Sequence, residues 1–426
     1  MIPGSGPGLR CPAHGDSSQA DDSALRAAFE GLWSELEPIG RHADGGYHRL
    51  AWTQADLACR AWFVTQASAR HLAVEEDGNG NQWAWWGRKG PGALVTGSHL
   101  DSVPGGGAFD GPLGVVSAFL AIDQLRRAGI EPRRPVAVVN FADEEGGRWG
   151  IACVGSRMLT GTADVAALLA RRDAAGMTLA DALRAAGRDP DRCGLDEERL
   201  ALIGTFVELH IEQGRALVDL DVPVGVATAV WPHGRWRFDF QGRGDHAGTT
   251  RLVDRRDPVL PLAHTVIAAR RAAESADAVA TVGRLAVVPG ATNAIASRAT
   301  AWLDARAPSP ATARRVVASI EASARQSGAD HSVQVSLEEE SWSGGADFEA
   351  GLRARLAGAV KARVGTVAEL PTGAGHDAAI LAARVPSAML FVRNPSGISH
   401  DPAETARVDD CVTGVHALTA VLEDLL

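Results

Sequence analysis

An α/β protein carrying an inserted α+β domain is the fold this sequence predicts, and three observations predict it. Apolar runs that end in glycine-rich or acidic loops read as buried strands alternating with helices. Near the middle of the chain this pattern gives way to period-two strands and amphipathic helices. The length of 426 residues, 46% of them hydrophobic, also exceeds what a single core normally spans.

The elements follow in order. Residues 1–22 are rich in Gly, Ser and Pro and read as a disordered leader. The leader shows no positively charged start followed by a hydrophobic stretch, so it is not read as a secretion signal. After Asp21, Asp22 and Ser23 as a cap, Leu25, Ala28, Phe29, Leu32 and Leu36 form one helical stripe within Ala24–Leu36. Ala93–Thr96 and Pro135–Phe141 are apolar strands on either side of a helix over Gly114–Ala128, and Phe206–Leu209 and Ser387–Val392 extend the same sheet. Period-two strands are expected over Val224–Val230, Arg235–Gln241, Ala280–Val288, Thr300–Arg306 and Ser332–Leu337, with helices over Pro258–Glu274 and Pro310–Gln326. That succession is a split βαβ, ferredoxin-like plan. Residues 223–337 therefore form the insert, and residues 23–222 and 338–426 the host domain. Two chain crossings between domains make a natural hinge.

Composition excludes several roles. With 42 basic and 52 acidic side chains the net charge is −10, which provides no basic footprint for nucleic acid or for an anionic membrane surface. The longest apolar stretch, Val115 to Ile122, falls far short of a bilayer span of about 20 residues. The five cysteines are scattered without a CxxC pair, as expected of reduced thiols in a cytoplasmic protein. Only Lys89 and Lys361 are lysines, so a fixed positive charge in a site is expected to be an arginine.

Four strand ends carry the chemistry. His99 and Asp101 follow the first strand, with Asp110 beyond a glycine-rich turn. Asp143, Glu144 and Glu145 follow the second, and three adjacent carboxylates repel unless a cation neutralises them. His210, Glu212 and Gln213 close the third, and His400, Asp401 and Glu404 follow the last. Outside the carboxyl ends of strands is where α/β sheets build their sites. A mixed nitrogen and oxygen set suits zinc, manganese, cobalt or nickel rather than calcium.

Taken together, His99-x-Asp101, Asp110-Gly111, Asp143-Glu-Glu-Gly146, Glu208-Leu-His210-Ile-Glu-Gln-Gly214, His246-Ala-Gly-Thr-Thr250, Gly373-Ala-Gly-His-Asp377 and Ser399-His400 resemble the hydantoinase/carbamoylase family of amidases. This family lies within the co-catalytic dinuclear metallopeptidase group. The resemblance implies a mixed-sheet catalytic domain of that group with an inserted dimerisation and lid domain. It implies two divalent ions, one held by His99, Asp110 and His210 and the other by Asp110, Glu145 and His400. Glu144 would be the general base and Asp101 would orient His99. His246 would act across a homodimer interface on the substrate carbonyl, and Gln213, Asn293, Arg306 and Gly375 would contact substrate. The arginine fork suits an α-carboxylate.

The implied reaction is hydrolysis of a linear C–N bond in a small carboxylate bearing a ureido or amide group. An N-carbamoyl-L-amino acid is the expected substrate and allantoate the alternative. Aminoacylase or dipeptidase activity is disfavoured by His210, and an inactive metal-binding homologue by the presence of Glu144. Asp245 and Arg251 depart from the family pattern around His246. The tryptophans Trp83, Trp85, Trp86, Trp149, Trp231 and Trp236 are expected to pack rather than to line a pocket, and His376 to serve as scaffold.

Overall fold

The computed structural model describes residues 15–426. Most of the expected leader, including Cys11, lies outside the described residues. Its end is corrected by the structure, because the first helix runs Gly15–Leu36 rather than starting at Ala24. No proline and only Gly31 interrupt the chain between Asp16 and Leu36, so nothing stops the helix from extending backwards. Asp22 on this helix meets His416 Nε2 at 2.8 Å.

The chain folds as two compact units. One comprises the chain up to Val226 with Glu349–Glu369 and Ile380–Leu426, and the other Ala227–Phe348 with Leu370–Ala379. In the first unit the strands lie in the order Ala73–Glu76, Gln82–Trp86, Val136–Phe141, Ala93–His99, Ile203–Ile211, Ser387–Val392 and the start of Val224–Val230. The four central strands run parallel, and the flanking pairs are antiparallel. The mixed α/β sheet expected from the sequence is therefore present.

Its central strands are buried along nearly their whole length, which explains why they read as unbroken apolar runs rather than alternating ones. Leu94, Val136, Val138, Val207, Leu209 and Leu390 join a core with the helices Pro112–Arg127, Ala350–Val364 and Val408–Leu425. On the alternate positions Phe141 meets Trp83 and Phe206 edge to face. Trp83, Trp85, Trp149 and Trp236 are all buried, in keeping with packing roles.

The second unit holds a four-stranded antiparallel sheet in the order Gln334–Ser343, His233–Gln241, Arg298–Arg306, Val279–Val288. Trp236, Phe238 and Phe240 alternate inward against Leu262 and Ala269 of the helix Val259–Glu274 and Val316 and Ile320 of the helix Pro310–Asp330.

Three sequence boundaries shift. Val224–Val230 was expected within the insert, yet Val224–Val226 pair with Val392–Leu390 in the large sheet, because this strand is apolar enough to be buried on both faces. The last insert strand reaches Ser343 instead of Leu337, pairing on with His233–Arg235 after its register shifts between Glu339 and Ser341. Residues 370–379, expected in the host domain, group with the second unit, where Trp231 N–H bonds Thr372 O at 2.8 Å. No described helix is long and apolar enough to cross a membrane.

Candidate metal centre

Parallel strands all end on the same edge of a sheet, so the loops after Ala93–His99, Val136–Phe141, Ile203–Ile211 and Ser387–Val392 converge. His99 Nε2 lies 3.5 Å and His210 Nε2 3.2 Å from the same Oδ1 of Asp110. His400 Nε2 approaches the other oxygen, Oδ2, at 3.3 Å, and stands 3.3 Å from Glu145 Oε2. The Asp110 carboxylate thus offers one oxygen to each of two groups, His99–Asp110–His210 and Asp110–Glu145–His400.

The imidazoles are aimed by backbone. His99 Nδ1 faces Asp101 O at 3.1 Å and His210 Nδ1 faces Ile211 O at 2.9 Å. A proton on each Nδ1 leaves the Nε2 lone pair pointing at Asp110, the tautomer a metal ligand needs. Nε2 of His99 is buried and makes no hydrogen bond. A buried nitrogen lone pair facing carboxylate oxygens fits a divalent cation between them.

The electrostatics say the same. Burial opposes charge on His99, yet the Glu144, Asp101 and Asp110 carboxylates hold its imidazole well above the usual value. Bonds to Asp110 and Glu145 push His400 up to about 11. Burial and the neighbouring Asp110 raise the Glu145 carboxyl, whereas burial of Asp110 is overcome by His210, His400 and His99, which pull it well below the carboxylate range. This carboxylate cluster demands positive charge, and the imidazoles can meet that demand only by taking up protons.

Asp101 meets His99 Nδ1 twice, with its backbone carbonyl at 3.1 Å and its carboxylate Oδ1 at 3.6 Å, and the carboxylate also accepts the N–H groups of Glu144 and Glu145, both at 3.1 Å. The acidic loop is thereby fixed under the histidines. Asp143 within it is buried at a positive φ of 53°. Glu144 brings Oε2 to 3.7 Å from His99 Nε2, and its Oε1 accepts a hydrogen bond from the Cys153 thiol at 3.1 Å.

Gln213 sits on the centre itself, donating from Nε2 to Asp110 Oδ2 at 2.6 Å and to Ser399 Oγ at 3.1 Å. Glu404 underpins it: Oε1 accepts the N–H groups of Phe109 and Asp110 at 2.9 and 3.0 Å, and Oε2 accepts Ser399 Oγ at 3.2 Å. Cys153 went unnoticed in the sequence because its contact with Glu144 depends on a left-handed turn rather than on any spacing. Glu404 could be seen there only as one more acid after His400.

The other expected residues lie in the second unit. His246 is exposed on a two-residue strand paired with Ala294–Ile295, and Ala247 N–H bonds Asn293 O at 3.0 Å, so His246 and Asn293 are neighbours. Arg306 lies at the opposite end of its strand from Arg298. Asp304 receives its Nε and Nη2 at 2.8 and 3.1 Å, and its Nη1 donates to Gly373 O at 2.7 Å. Gly375 is two residues further along that loop, beside His233. His376 is buried.

The comparisons with known proteins agree with this geometry. The sequence profile of Peptidase family M20/M25/M40 matches residues 95–424, a span that contains every member of the centre. An N-carbamoyl-L-amino acid amidohydrolase of Geobacillus stearothermophilus is 35% identical, over 91% of this chain and 96% of its own. An allantoate amidohydrolase of Escherichia coli is 31% identical, over 94% and 98%. The crystal structure of a hydantoinase/carbamoylase family amidase from Burkholderia vietnamiensis superposes with a TM-score of 0.84 at 32% identity, covering 94% of this chain and 97% of that one. Enzymes of the M20 family bind divalent metals, and the described residues provide groups able to hold them. The chain belongs to Peptidase family M20/M25/M40, among its hydantoinase/carbamoylase amidases, and is a hydrolase of carbon–nitrogen bonds in linear amides.

Proposed function

We propose that this carbamoyl amidohydrolase converts an N-carbamoyl-L-amino acid and water to the amino acid, ammonia and carbon dioxide. The observation that carries the reading is the Asp110 carboxylate, with Oδ1 facing His99 and His210 and Oδ2 facing His400. In this reading His99, Asp110 and His210 hold one divalent ion, and Asp110, Glu145 and His400 a second. Zinc, manganese, cobalt and nickel all suit the donors. Such ions would polarise the ureido oxygen and acidify the attacking water.

The chain supplies the rest. Glu144, fixed through its N–H by Asp101, takes a proton from the water and passes it to the departing nitrogen. Arg306 grips the substrate carboxylate. Its Nε and Nη2 are held by Asp304 and its Nη1 by Gly373 O, which fixes the plane of the guanidinium that would meet the substrate carboxylate. Gln213, Asn293 and Gly375 complete the substrate contacts, and His246 donates to the carbonyl oxygen as charge develops there. Closure of the insert as a lid would exclude water during the reaction.

We further propose that His246 serves the site of a second copy in a homodimer. Val279–Val288 is an edge strand exposing Leu285, Val287 and Val288, and Leu252 and Val253 beside the His246 loop are 80% and 85% exposed. The free state of Cys59, Cys153, Cys193 and Cys411 supports a reducing, cytoplasmic setting.

The test is ammonia release by purified protein loaded with Mn²⁺ or Zn²⁺, offered a panel of N-carbamoyl-L-amino acids and allantoate. Release from the carbamoyl amino acids is expected. Release from allantoate alone would reassign the substrate, and none from either with metal bound would overturn the reading. Strictly monomeric protein by light scattering would overturn the shared site.

A further inference from the structure

A second set of ligand-type side chains occupies the loop between the first helix and the helix Gln54–Ala69, and none of it belongs to the centre around Asp110. His42 Nδ1 lies 3.0 Å, and His48 Nε2 3.2 Å, from the same Oδ2 of Asp44. The three ligand atoms form one group close enough to share an ion. Donors each about 2.1 Å from a common ion, at tetrahedral or octahedral angles, stand about 3.0–3.4 Å apart, so these separations suit one.

The loop holds these groups in place before any ion arrives. Asp44 Oδ1 accepts Gly46 N–H at 2.9 Å, which turns Oδ2 towards both imidazoles. His42 N–H bonds Gly46 O at 2.8 Å, Gly45 N–H bonds His42 O at 3.0 Å and His48 N–H bonds Gly40 O at 2.9 Å. The turn needs Gly45, whose φ is +90°. The two rings stack with centroids 4.1 Å apart.

Two ring nitrogens and one carboxylate oxygen converge on a single point. Neutral rings can each donate one N–H to Asp44 Oδ2 there, and a single divalent ion would instead engage all three atoms as ligands. Arg41, next to His42 in the chain, is engaged by Glu37 Oε1 and Tyr47 Oη. The side chains of His42, Asp44 and His48 are 54%, 48% and 34% exposed, leaving room for water on the open positions.

We infer that His42, Asp44 and His48 form a separate surface site for a divalent transition-metal ion, with zinc, cobalt, nickel and copper the class that two imidazoles and one carboxylate select. The loop is bonded to the segment that leads to Asp110, through Tyr47 N–H to Gly106 O at 3.0 Å, Gly105 N–H to Tyr47 O at 2.9 Å and Arg49 N–H to Ser102 Oγ at 3.0 Å. An ion here braces that segment from outside.

The test is a metal count. Wild type, His48→Gln and Asp44→Asn are stripped with chelator, dialysed against micromolar zinc and measured for zinc per chain. Asp44→Asn keeps an acceptor for Gly46 N–H, so the turn is preserved while the charge is lost. Wild type is expected to hold one zinc more than either variant, with the variants still hydrolysing substrate because the Asp110 centre is untouched. Equal zinc in wild type and both variants overturns the inference.

Discussion

The thiol of Cys153 donates to Oε1 of Glu144 across 3.1 Å, and the backbone N–H of Cys153 also bonds the Glu144 carbonyl. A carboxylate proposed to carry a proton from water to a leaving nitrogen gains from a bond that fixes its position. An S–H is a weak donor, so Cys153→Ala should lower kcat by about 5–10-fold with KM little changed, while Cys153→Ser keeps kcat within about threefold. Steady-state kinetics on a carbamoyl substrate decide it. Equal loss in both variants would mean that the residue only fills space. Glu144→Gln, by contrast, should remove turnover while metal content persists.

Glu404 grips the turn that delivers Asp110. Its Oε1 receives two successive backbone N–H groups, and a Cβ on Gly107 would strike its side chain. Burial and the nearby Asp110 push its carboxyl up to about 7. Glu404→Ala frees both N–H groups and should weaken metal binding about 10–100-fold, as loss of an outer support to a ligand does. Competition with a chelating dye measures this. Unchanged affinity would show that the turn holds itself.

Much of this arrangement could be read in the sequence, for a physical reason. Buried parallel strands must be continuous apolar runs, so Ala93–His99 and Ser387–Val392 are visible, and their ends fall on one edge whatever the loops do. That is enough to bring His99, Asp110, His210 and His400 together. What depends on loop conformation could not be read. The αL turn at Cys153, the backbone carbonyl that aims His99 and the Asp304 carboxylate on Arg306 leave no periodic trace. Antiparallel additions were also missed. Gln82–Trp86 is buried yet rich in tryptophan, and it looked like a packing segment until its pairing with Val136–Asn140 made it a strand.

Away from the centre, Asp56 sets a pH dependence of stability. Burial raises its carboxyl to about 6 despite Arg60 and the Trp52 N–H, with Asp101 adding to the rise. The folded state therefore keeps a proton that the unfolded chain, with a pKa of 3.8, has released. The stabilisation is complete below pH 3.8 and is lost as pH rises through about 6. Two pKa units correspond to at most about 3 kcal/mol. Asp56→Asn can still accept the Trp52 N–H and should be the more stable protein at pH 8, by about 1–3 kcal/mol, while losing that advantage at pH 4. Urea denaturation at both pH values tests this, and a pH-independent difference would refute it.

Arg306 and Asp304 behave as a pre-set clamp. The bidentate contact fixes the plane of the guanidinium, and Gly373 O holds its third edge. A lysine cannot reproduce a planar fork, so Arg306→Lys should cut kcat/KM by about 10²-fold, mainly through KM. Asp304→Asn loosens the plane and should raise KM about 3–10-fold. A fall in KM for Asp304→Asn would instead identify Asp304 as a competitor of the substrate carboxylate.

Gly111 places a direct constraint on the His99 ring. It has φ +82°, and an added Cβ would come within 2.5–2.7 Å of three atoms of the His99 ring. An alanine there meets two costs: left-handed backbone strain of about 1–2 kcal/mol, and displacement of the imidazole from Asp110. Gly129 separates the two, since its φ is +71° and nothing lies within 4 Å of the added Cβ. Gly129→Ala should lose only stability, and Gly111→Ala both stability and metal. Comparing metal content per folded chain in the two variants isolates the contact with the ring. If Gly111→Ala binds metal as Gly129→Ala does, the His99 ring is not held where Asp110 needs it by this turn.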